Sequence, residues 1–347
     1  MDTLKKLTQL PGIPGHESRV KGFLKEEIKP YSDKILEDNL GSLIGVKGTQ
    51  GPKIMIASHM DEIGLIISSI TKEGFLKFQT VGGWFSQVML AQLWDIHTEK
   101  GTIIGVTGTK PPHIIPLDQR LKAIPIESMY IDIGVSSKDE AIEKGIKLGQ
   151  MITPHNDFYE MANSDYMLAK AFDNRVGTYI VTELLKKTSP KTSQLFGTFT
   201  VQEEVGLRGA KTSSYIVNPD IAISIDTGVS GDTPSGDSNE QTLGKGPQIF
   251  LFDRTTIGHP HLRKFIIELA EKNDIPYQEP FIARGGTDAG NMHLAHDGAP
   301  GVSIGIPTRY MHSHYGIVHK EDVNNAIKLL SLIVEHLDEK ALKNIIF

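Results

Sequence analysis

The sequence of 347 residues predicts an α/β fold into which a smaller β-rich domain is inserted. Three observations predict it. Strands and helices alternate in the first 63 residues and again after residue 163. Between them, short β-prone runs recur with Gly and Pro clusters and little helical periodicity. Ile221 to Ile225 lacks the alternation of polar residues that a solvent-facing strand shows, as expected for a sheet covered on both faces.

The first flank begins with two predicted helices. Thr3 to Leu10 is the first, and a Pro- and Gly-rich segment ends it. Glu17 to Ile28 is the second, because its apolar residues recur at helical spacing and Pro30 follows them. Two strands come next, at Leu43 to Val46 and Lys53 to Ser58.

Residues 64–163 lack the alternation of helices and strands that the two flanks show. One short helix is predicted there, from Lys138 to Lys144. The remaining runs are strand-sized, which predicts a small β-barrel or sandwich domain. These runs are Gly64 to Ile70, Phe75 to Gln79, Gln92 to His97, Gly101 to Gly108, Met129 to Ile133 and Met151 to Thr153.

The second flank returns to alternation. Its predicted elements are a helix from Arg175 to Lys187, strands at Leu195 to Val201 and Ile221 to Ile225, a helix from His261 to Asn273, a strand at Gly301 to Ile306 and a helix from Glu321 to Leu337. Residues 1–63 and 164–347 are therefore predicted to form one discontinuous α/β domain with helices on both faces of its sheet.

Composition excludes several classes of function. The chain has no cysteine, so disulfides, thiol nucleophiles and cysteine metal sites are excluded, and any metal site must use His, Asp and Glu. The net charge of −6 argues against a nucleic-acid partner. We read no signal peptide at the N-terminus and no apolar run long enough to span a membrane, so we expect a cytoplasmic protein.

Polar, metal-capable clusters follow four of the predicted strands. They begin at His59, at Gln202, at Asp226 and, after a short loop, at Arg309, and a fifth cluster around Asp173 opens a helix. Alone, each has an ordinary explanation as a helix cap, a turn or a solvated strand end. Their recurrence at strand ends predicts that they converge, since open α/β sheets carry their sites outside the carboxyl ends of the strands.

Five of these residues make a chemically consistent pair of metal sites. If the carboxylate of Asp173 bridges two ions, each ion has three protein ligands and an open position, as in catalytic zinc sites. Three carboxylates against two divalent cations leave one positive charge, which a bridging hydroxide neutralises. The hypothesis assigns His59, Asp173 and Asp226 to one ion and Glu204, His312 and Asp173 to the other.

Two further acids have predicted roles. Asp61 lies two residues after His59, on the same face of an extended segment, so its carboxylate is expected to accept the free ring N–H of His59. Glu203 precedes the proposed ligand Glu204 and is a candidate general base that then acts as an acid toward the leaving nitrogen. Both glutamates reach the site only if the backbone turns there.

The clusters, in this order, resemble metallopeptidase family 42, the glutamyl, leucyl and tetrahedral aminopeptidases. The resemblance covers essentially the whole chain. It is carried by SHMDEIG (58–64), GVTGTKPPH (105–113), AFDNRVG (171–177), TVQEEVGLRGA (200–210), SIDTG (224–228), GGTDAG (285–290) and TRYMHS (308–313).

The resemblance implies a two-metal aminopeptidase that acts on short peptides with a free N-terminus. It implies the same ligands and Glu203 as base, with His312 rather than His314 as ligand because His312 lies in TRYMHS. It also implies a mixed sheet, zinc or cobalt, a cis peptide bond after Asp173, and an inserted domain that forms dimers and, from them, dodecamers.

The sequence leaves some alternative functions and specificities open. A related two-metal deacylase or carboxypeptidase would use a similar site, and a glycoside hydrolase would also need paired carboxylates, although not the histidines. Arg284 could meet an acidic substrate side chain or be an ordinary surface residue. Glutamyl, leucyl and lysyl preferences all remain possible.

Overall fold

The structure is a computed structural model that describes residues 1–119, 121–234, 236 and 241–346. The helices of these residues are α1 (Asp2–Gln9), α2 (Ser18–Ile28), α3 (Lys138–Glu143), α4 (Phe172–Lys187), α5 (Arg208–Val217), α6 (Pro260–Lys272), α7 (Ala289–Met292), α8 (Lys320–His336) and α9 (Glu339–Ile346). The strands are β1 (Lys34–Glu37), β2 (Leu43–Lys47), β3 (Lys53–His59), β4 (Gly64–Ile70), β5 (Leu76–Val81), β6 (Leu93–Thr98), β7 (Gly101–Gly108), β8 (Tyr130–Asp132), β9 (Met151–Pro154), β10 (Tyr159–Glu160), β11 (Tyr166–Ala169), β12 (Gln194–Thr200), β13 (Ile221–Val229), β14 (Gln248–Ile249), β15 (Gly301–Thr308) and β16 (Gly316–His319).

The main sheet has seven strands in the order β1-β2-β12-β3-β13-β15-β14. Its four central strands, β12, β3, β13 and β15, are mutually parallel, whereas β1, β2 and β14 add antiparallel edges. The carboxyl ends of the central strands therefore meet at one edge of the sheet. In the register of β12 and β3, Thr200 pairs with His59 at that edge.

Helices cover both faces of this sheet. On one face, α1, α2, α4, α6 and α8 bury a continuous apolar core against the strands. On the other face, α5 and α7 cover a smaller core that includes Met55, Phe196 and Met292. Because both faces are covered, the eight residues Ile221 to Gly228 of β13 are all buried.

A closed barrel of six strands, β4-β5-β8-β7-β6-β9, lies between residues 64 and 154. Its paired strands are antiparallel. Trp94, Ile96, Ile131 and Ile152 belong to its separate buried cluster. The small sheet β10-β11-β16 lies after the barrel in the chain, and its strands come from residues 159–169 and 316–319.

The predicted fold class is confirmed: the chain combines a mixed sheet, helices on both faces and a barrel. The β-rich block is a barrel rather than a sandwich. Sequence patterns missed several elements, among them α5, whose stretch is rich in Ser, Thr and Gly, and the short edge strands β1 and β14. In the described part of the chain, no helix is long and apolar enough to cross a membrane.

Candidate metal centre

The predicted ligands converge at the carboxyl edge of the main sheet. His59 is the last residue of β3. Asp226 lies in β13, the strand next to β3 in the sheet. Glu204 follows β12, and His312 lies in the loop after β15. Asp173 is the second residue of α4, and its peptide bond to Asn174 is cis, as expected.

Asp173 lies between two imidazole rings. Its Oδ1 atom is 3.2 Å from Nε2 of His59, and its Oδ2 atom is 3.4 Å from Nε2 of His312. The Oδ1 atom is buried and has no hydrogen-bond partner among the described residues. A buried carboxylate oxygen without a donor is costly unless a cation or a proton compensates it.

A second carboxylate accompanies each ring. Asp226 Oδ1 lies 3.7 Å from Nε2 of His59, and Glu204 Oε1 lies 3.7 Å from Nε2 of His312. One ligand atom each from His59, Asp173 and Glu204 fall within 4.8 Å of one another. The arrangement thus has two halves, one on each oxygen of Asp173.

Both imidazoles are oriented by main-chain carbonyls. Nδ1 of His59 lies 3.0 Å from the carbonyl oxygen of Asp61, and Nδ1 of His312 lies 2.8 Å from that of Gly83. Since carbonyls only accept hydrogen bonds, both Nδ1 atoms carry the hydrogen. Nε2 of each ring therefore faces Asp173 and is the atom left to bind a cation once it is deprotonated.

Asp61 does not make the contact that the sequence predicted. Its carboxylate is 3.6 Å from Nδ1 of His59, too long for a hydrogen bond. Instead it accepts from the backbone N–H groups of Glu203 and Glu204, both at 3.1 Å. Asp61 therefore holds the turn that brings both glutamates to the site, with Gln202 in a left-handed conformation at φ 57°.

The electrostatics show an excess of buried negative charge. Burial disfavours the imidazolium of His312, but Asp173 and Glu204 outweigh this and raise its pKa to about 10. Burial also raises the pKa of Glu204 to about 8, opposed by His312 and reinforced by Asp173. A buried set of carboxylates and imidazoles that favours added positive charge is a donor set that fits divalent cations.

Burial and neighbouring charges also shift the pKa values of the other acids of the site. Burial raises the pKa of Glu203 well above its ordinary value, and burial raises that of Asp226 despite the neighbouring His59. Asp173 behaves differently. Burial alone would raise its pKa, but the imidazoles of His312 and His59 lower it below the ordinary value.

Sequence reasoning assigned no role to Asp288, although GGTDAG contains it. Asp288 is buried, accepts a hydrogen bond from the Thr200 hydroxyl and has one oxygen without a partner among the described residues. Burial raises its pKa to about 7, with His59 opposing this and Asp226 reinforcing it. No spacing rule distinguishes such an acid from a helix cap, since it precedes α7.

A buried ion network supports the segment after His59. Lys170 Nζ contacts both carboxylate oxygens of Glu62, at 2.7 and 2.6 Å. Arg175 lies 3.6 Å from Glu62 and donates to the carbonyl of Met60 at 2.7 Å. These contacts fix the segment between β3 and the barrel, which carries Asp61.

His314 and Arg284 lie apart from the ligand cluster. His314 is buried against the rings of Trp84 and Trp94, at 5.6 and 4.4 Å between ring centroids. Burial lowers the pKa of His314 to about 4. Arg284 is exposed and lines an open cavity of about 570 Å³ that reaches the predicted ligands, and Arg254 lines the same cavity.

Comparisons with known proteins relate the chain to aminopeptidases. Residues 41–329 match the family model described as M42 glutamyl aminopeptidase. The chain is 40% identical over 329 residues to a putative aminopeptidase of Acetivibrio thermocellus, a match that spans 95% of this chain and 96% of the relative.

Solved structures of aminopeptidases are also similar to this chain. A TET aminopeptidase from Thaumarchaeota archaeon SCGC AB-539-E09 superposes with a TM-score of 0.96 at 40% identity, covering 99% of this chain and 98% of that chain. A TET peptidase of Pyrococcus horikoshii superposes with a TM-score of 0.87 at 34% identity, covering 97% and 99%. That peptidase is described as able to assemble into a tetrahedron or a large octahedral shell.

Proposed function

The chain belongs to the M42 glutamyl aminopeptidase family, and we propose that it removes N-terminal residues from short peptides with two divalent cations held on either side of Asp173. Its activity as an aminopeptidase follows from the family. The observation that carries the two-metal proposal is the placement of one imidazole Nε2 beside each oxygen of Asp173.

The five ligands divide into two sets that share Asp173. His59 and Asp226 complete one set, and Glu204 and His312 complete the other. Zinc and cobalt both suit this combination of imidazole and carboxylate donors. When bound, such ions lower the pKa of water and polarise the carbonyl of the scissile peptide bond.

Glu203 is the proposed general base. Its Oε2 atom lies 3.8 Å from Nε2 of His59, so its carboxylate faces the ligand cluster without belonging to either set. The carboxylate is buried beside the ligand cluster, within reach of a water molecule that enters the site. It accepts a proton from the attacking water and delivers it to the leaving nitrogen. Asp61 is a positioning residue that acts through the backbone of Glu203 and Glu204.

The alternative hydrolases fit less well. A glycoside hydrolase needs two carboxylates that flank a sugar bond, but it does not need imidazoles on both sides of a third carboxylate. A deacylase or carboxypeptidase would share the metal ligands. The dependence on a free amino group separates those enzymes from an aminopeptidase.

Two measurements on the purified enzyme test the proposed function. Chelation is expected to abolish hydrolysis of aminoacyl chromogenic substrates, and added zinc or cobalt is expected to restore it. Substrates with an acetylated N-terminus are expected to resist hydrolysis by the restored enzyme. Activity that survives complete metal removal, or equal activity on acetylated substrates, would contradict the proposal.

Metal binding is expected to release protons. In the metal-free chain the pKa of His312 is about 10 and that of Glu204 about 8, so both groups are largely protonated at pH 7. Ligands bind metal in their deprotonated forms, so metal affinity should fall as the pH falls. Calorimetric titration in buffers of different ionisation enthalpy measures the protons released, and we expect a net release. Proton-independent binding would contradict the assigned ligands.

We propose that two arginines of the cavity select an acidic N-terminal residue. Arg254 and Arg284 both line it, and their backbones are joined by a hydrogen bond from Arg254 N to the carbonyl of Gly285. Both side chains are exposed, and neither has a carboxylate partner among the described residues. Two guanidinium groups on the lining of one cavity offer a carboxylate side chain charge-assisted hydrogen bonds.

We therefore expect higher kcat/KM for glutamyl than for lysyl substrates. Arg284→Gln should lower kcat/KM for the glutamyl substrate by about 10- to 100-fold, the worth of a hydrogen bond to a charged group, with a much smaller effect on a leucyl substrate. Arg19→Gln, which removes the same charge from an exposed position on α2, is the control. An equal loss on both substrates would contradict this specificity.

We propose further that the barrel mediates assembly into dimers and dodecamers. Apolar side chains on β6 and β7, including Leu93, Ile104 and Val106, are exposed in the single chain. Light scattering of the metal-loaded protein measures the assembly.

Two further expectations stay predictions. They are the cytoplasmic location and the division of the chain into an inserted domain of residues 64–163 and a catalytic domain formed by its flanks.

A further inference from the structure

The barrel reaches into the metal centre through one short loop. Residues 82–84 follow β5 and lie against Glu204 and His312. The carbonyl oxygen of Gly83 accepts the hydrogen bond from Nδ1 of His312 at 2.8 Å. This contact joins residues 229 positions apart in sequence.

The loop is tightly packed at its two glycines. A Cβ atom on Gly83 would lie 3.0 Å from Nδ1 of His312. A Cβ atom on Gly82 would lie 3.1 Å from Oε2 of Glu204 and 2.5 Å from Cγ2 of Ile63. Gly82 also has a φ of +79°, in the region that favours glycine.

Trp84 anchors the loop on its other side. Its indole N–H donates to the carbonyl of Gly64 at 3.0 Å. Its ring also packs against Trp94 in the barrel core and against His314, at 5.2 and 5.6 Å between centroids. Since His314 is two residues beyond His312, Trp84 contacts the same loop that carries the proposed ligand.

His312 needs such support more than His59 does. The side chain of His59 is 2% exposed at the end of a central strand, whereas that of His312 is 37% exposed in a loop. Tyr310 and His312 both have left-handed backbone conformations, at φ 61° and 57°. A ligand on such a loop keeps its orientation only if neighbouring groups fix it.

We propose that the barrel loop Gly82–Trp84 is a positioning element of the half-site formed by Glu204 and His312. The Gly83 carbonyl fixes the ring and tautomer of His312, and the missing side chain of Gly82 leaves the Glu204 carboxylate its space. The inference rests on the proposed two-metal function. It gives the inserted barrel a role in metal binding that is separate from assembly.

Two matched pairs of glycine variants test this role in the full-length chain. Gly82→Ala is compared with Gly134→Ala, since Gly134 lies in the turn after β8 with a similar φ of +74° and an added Cβ meets nothing within 4 Å. Gly83→Ala, whose backbone is outside the left-handed region, is compared with Gly22→Ala in α2, where an added Cβ also meets nothing. Each control carries the same substitution without the contact.

The readout is binding of cobalt to metal-free protein, followed by calorimetry and elemental analysis after dialysis. Wild type and both controls are expected to bind two ions per chain. Gly82→Ala and Gly83→Ala are expected to keep one ion and to bind the second about 10- to 100-fold more weakly, the usual effect of losing a group that orients a ligand.

The possible outcomes distinguish the positioning role of the loop from the proposed two-metal function. Unchanged binding of both ions by the folded Gly82→Ala and Gly83→Ala variants would overturn the positioning role while leaving the proposed function intact. Wild-type protein that binds no metal would instead overturn the proposed function. If Gly82→Ala does not fold, as judged by circular dichroism, the Gly83→Ala and Gly22→Ala pair decides the question.

Discussion

Glu203→Gln is expected to lower kcat by about 10²- to 10⁴-fold while the enzyme keeps both metal ions and near-normal substrate binding. The substitution preserves the size of the side chain but removes its basic carboxylate. Glu203 belongs to neither ligand set, and its Oε2 atom lies 3.8 Å from Nε2 of His59. Loss of the base should therefore slow proton transfer without emptying the site.

Glu204→Gln provides the internal comparison at the adjacent position. Glu204 Oε1 lies 3.7 Å from Nε2 of His312, so its amide variant should lose occupancy of that half-site as well as activity. Elemental analysis and kcat are measured together for both variants. Metal loss in Glu203→Gln with full retention in Glu204→Gln would reverse the two roles, and normal activity in both would refute the site.

Asp173→Asn is expected to have the largest effect on metal content. Its two oxygens lie 3.2 and 3.4 Å from the two imidazole Nε2 atoms, so both proposed half-sites depend on it. The amide has one oxygen and no charge. Affinity for both ions should fall by more than the ~10- to 100-fold typical of losing an orienting group, and activity should fall to background at ordinary metal concentrations.

Asp165→Asn is the control for this substitution. Asp165 is exposed and lies near the start of β11, so it loses the same charge away from the ligand cluster. The control should retain two ions and full activity. An Asp173→Asn enzyme that retains both ions with unchanged affinity would show that Asp173 does not bridge them.

The ligand cluster could be anticipated from sequence because its residues follow strands of recognisable pattern. Parallel strands carry their carboxyl ends to one edge, so His59, Asp226 and the glutamates after β12 had to converge there. The choice of His312 over His314 came from the TRYMHS resemblance. The structure gives it a physical basis, since His312 lies beside Asp173 and His314 packs against two tryptophans.

The contacts that orient the proposed ligands could not be anticipated in the same way. The Asp61 carboxylate binds backbone N–H groups of Glu203 and Glu204, a partnership that depends on how two loops meet. The Gly83 carbonyl reaches His312 from the barrel, and main-chain acceptors leave no trace in residue type. Arg254 lines the cavity although no motif marks it.

The most direct test of the two-metal proposal is an anomalous difference map of zinc-loaded crystals, measured at the zinc absorption edge. The proposal predicts two peaks in each chain, one between His59 and Asp226 and one between Glu204 and His312, both in contact with Asp173. A single peak, or peaks that do not involve Asp173, would contradict the proposal.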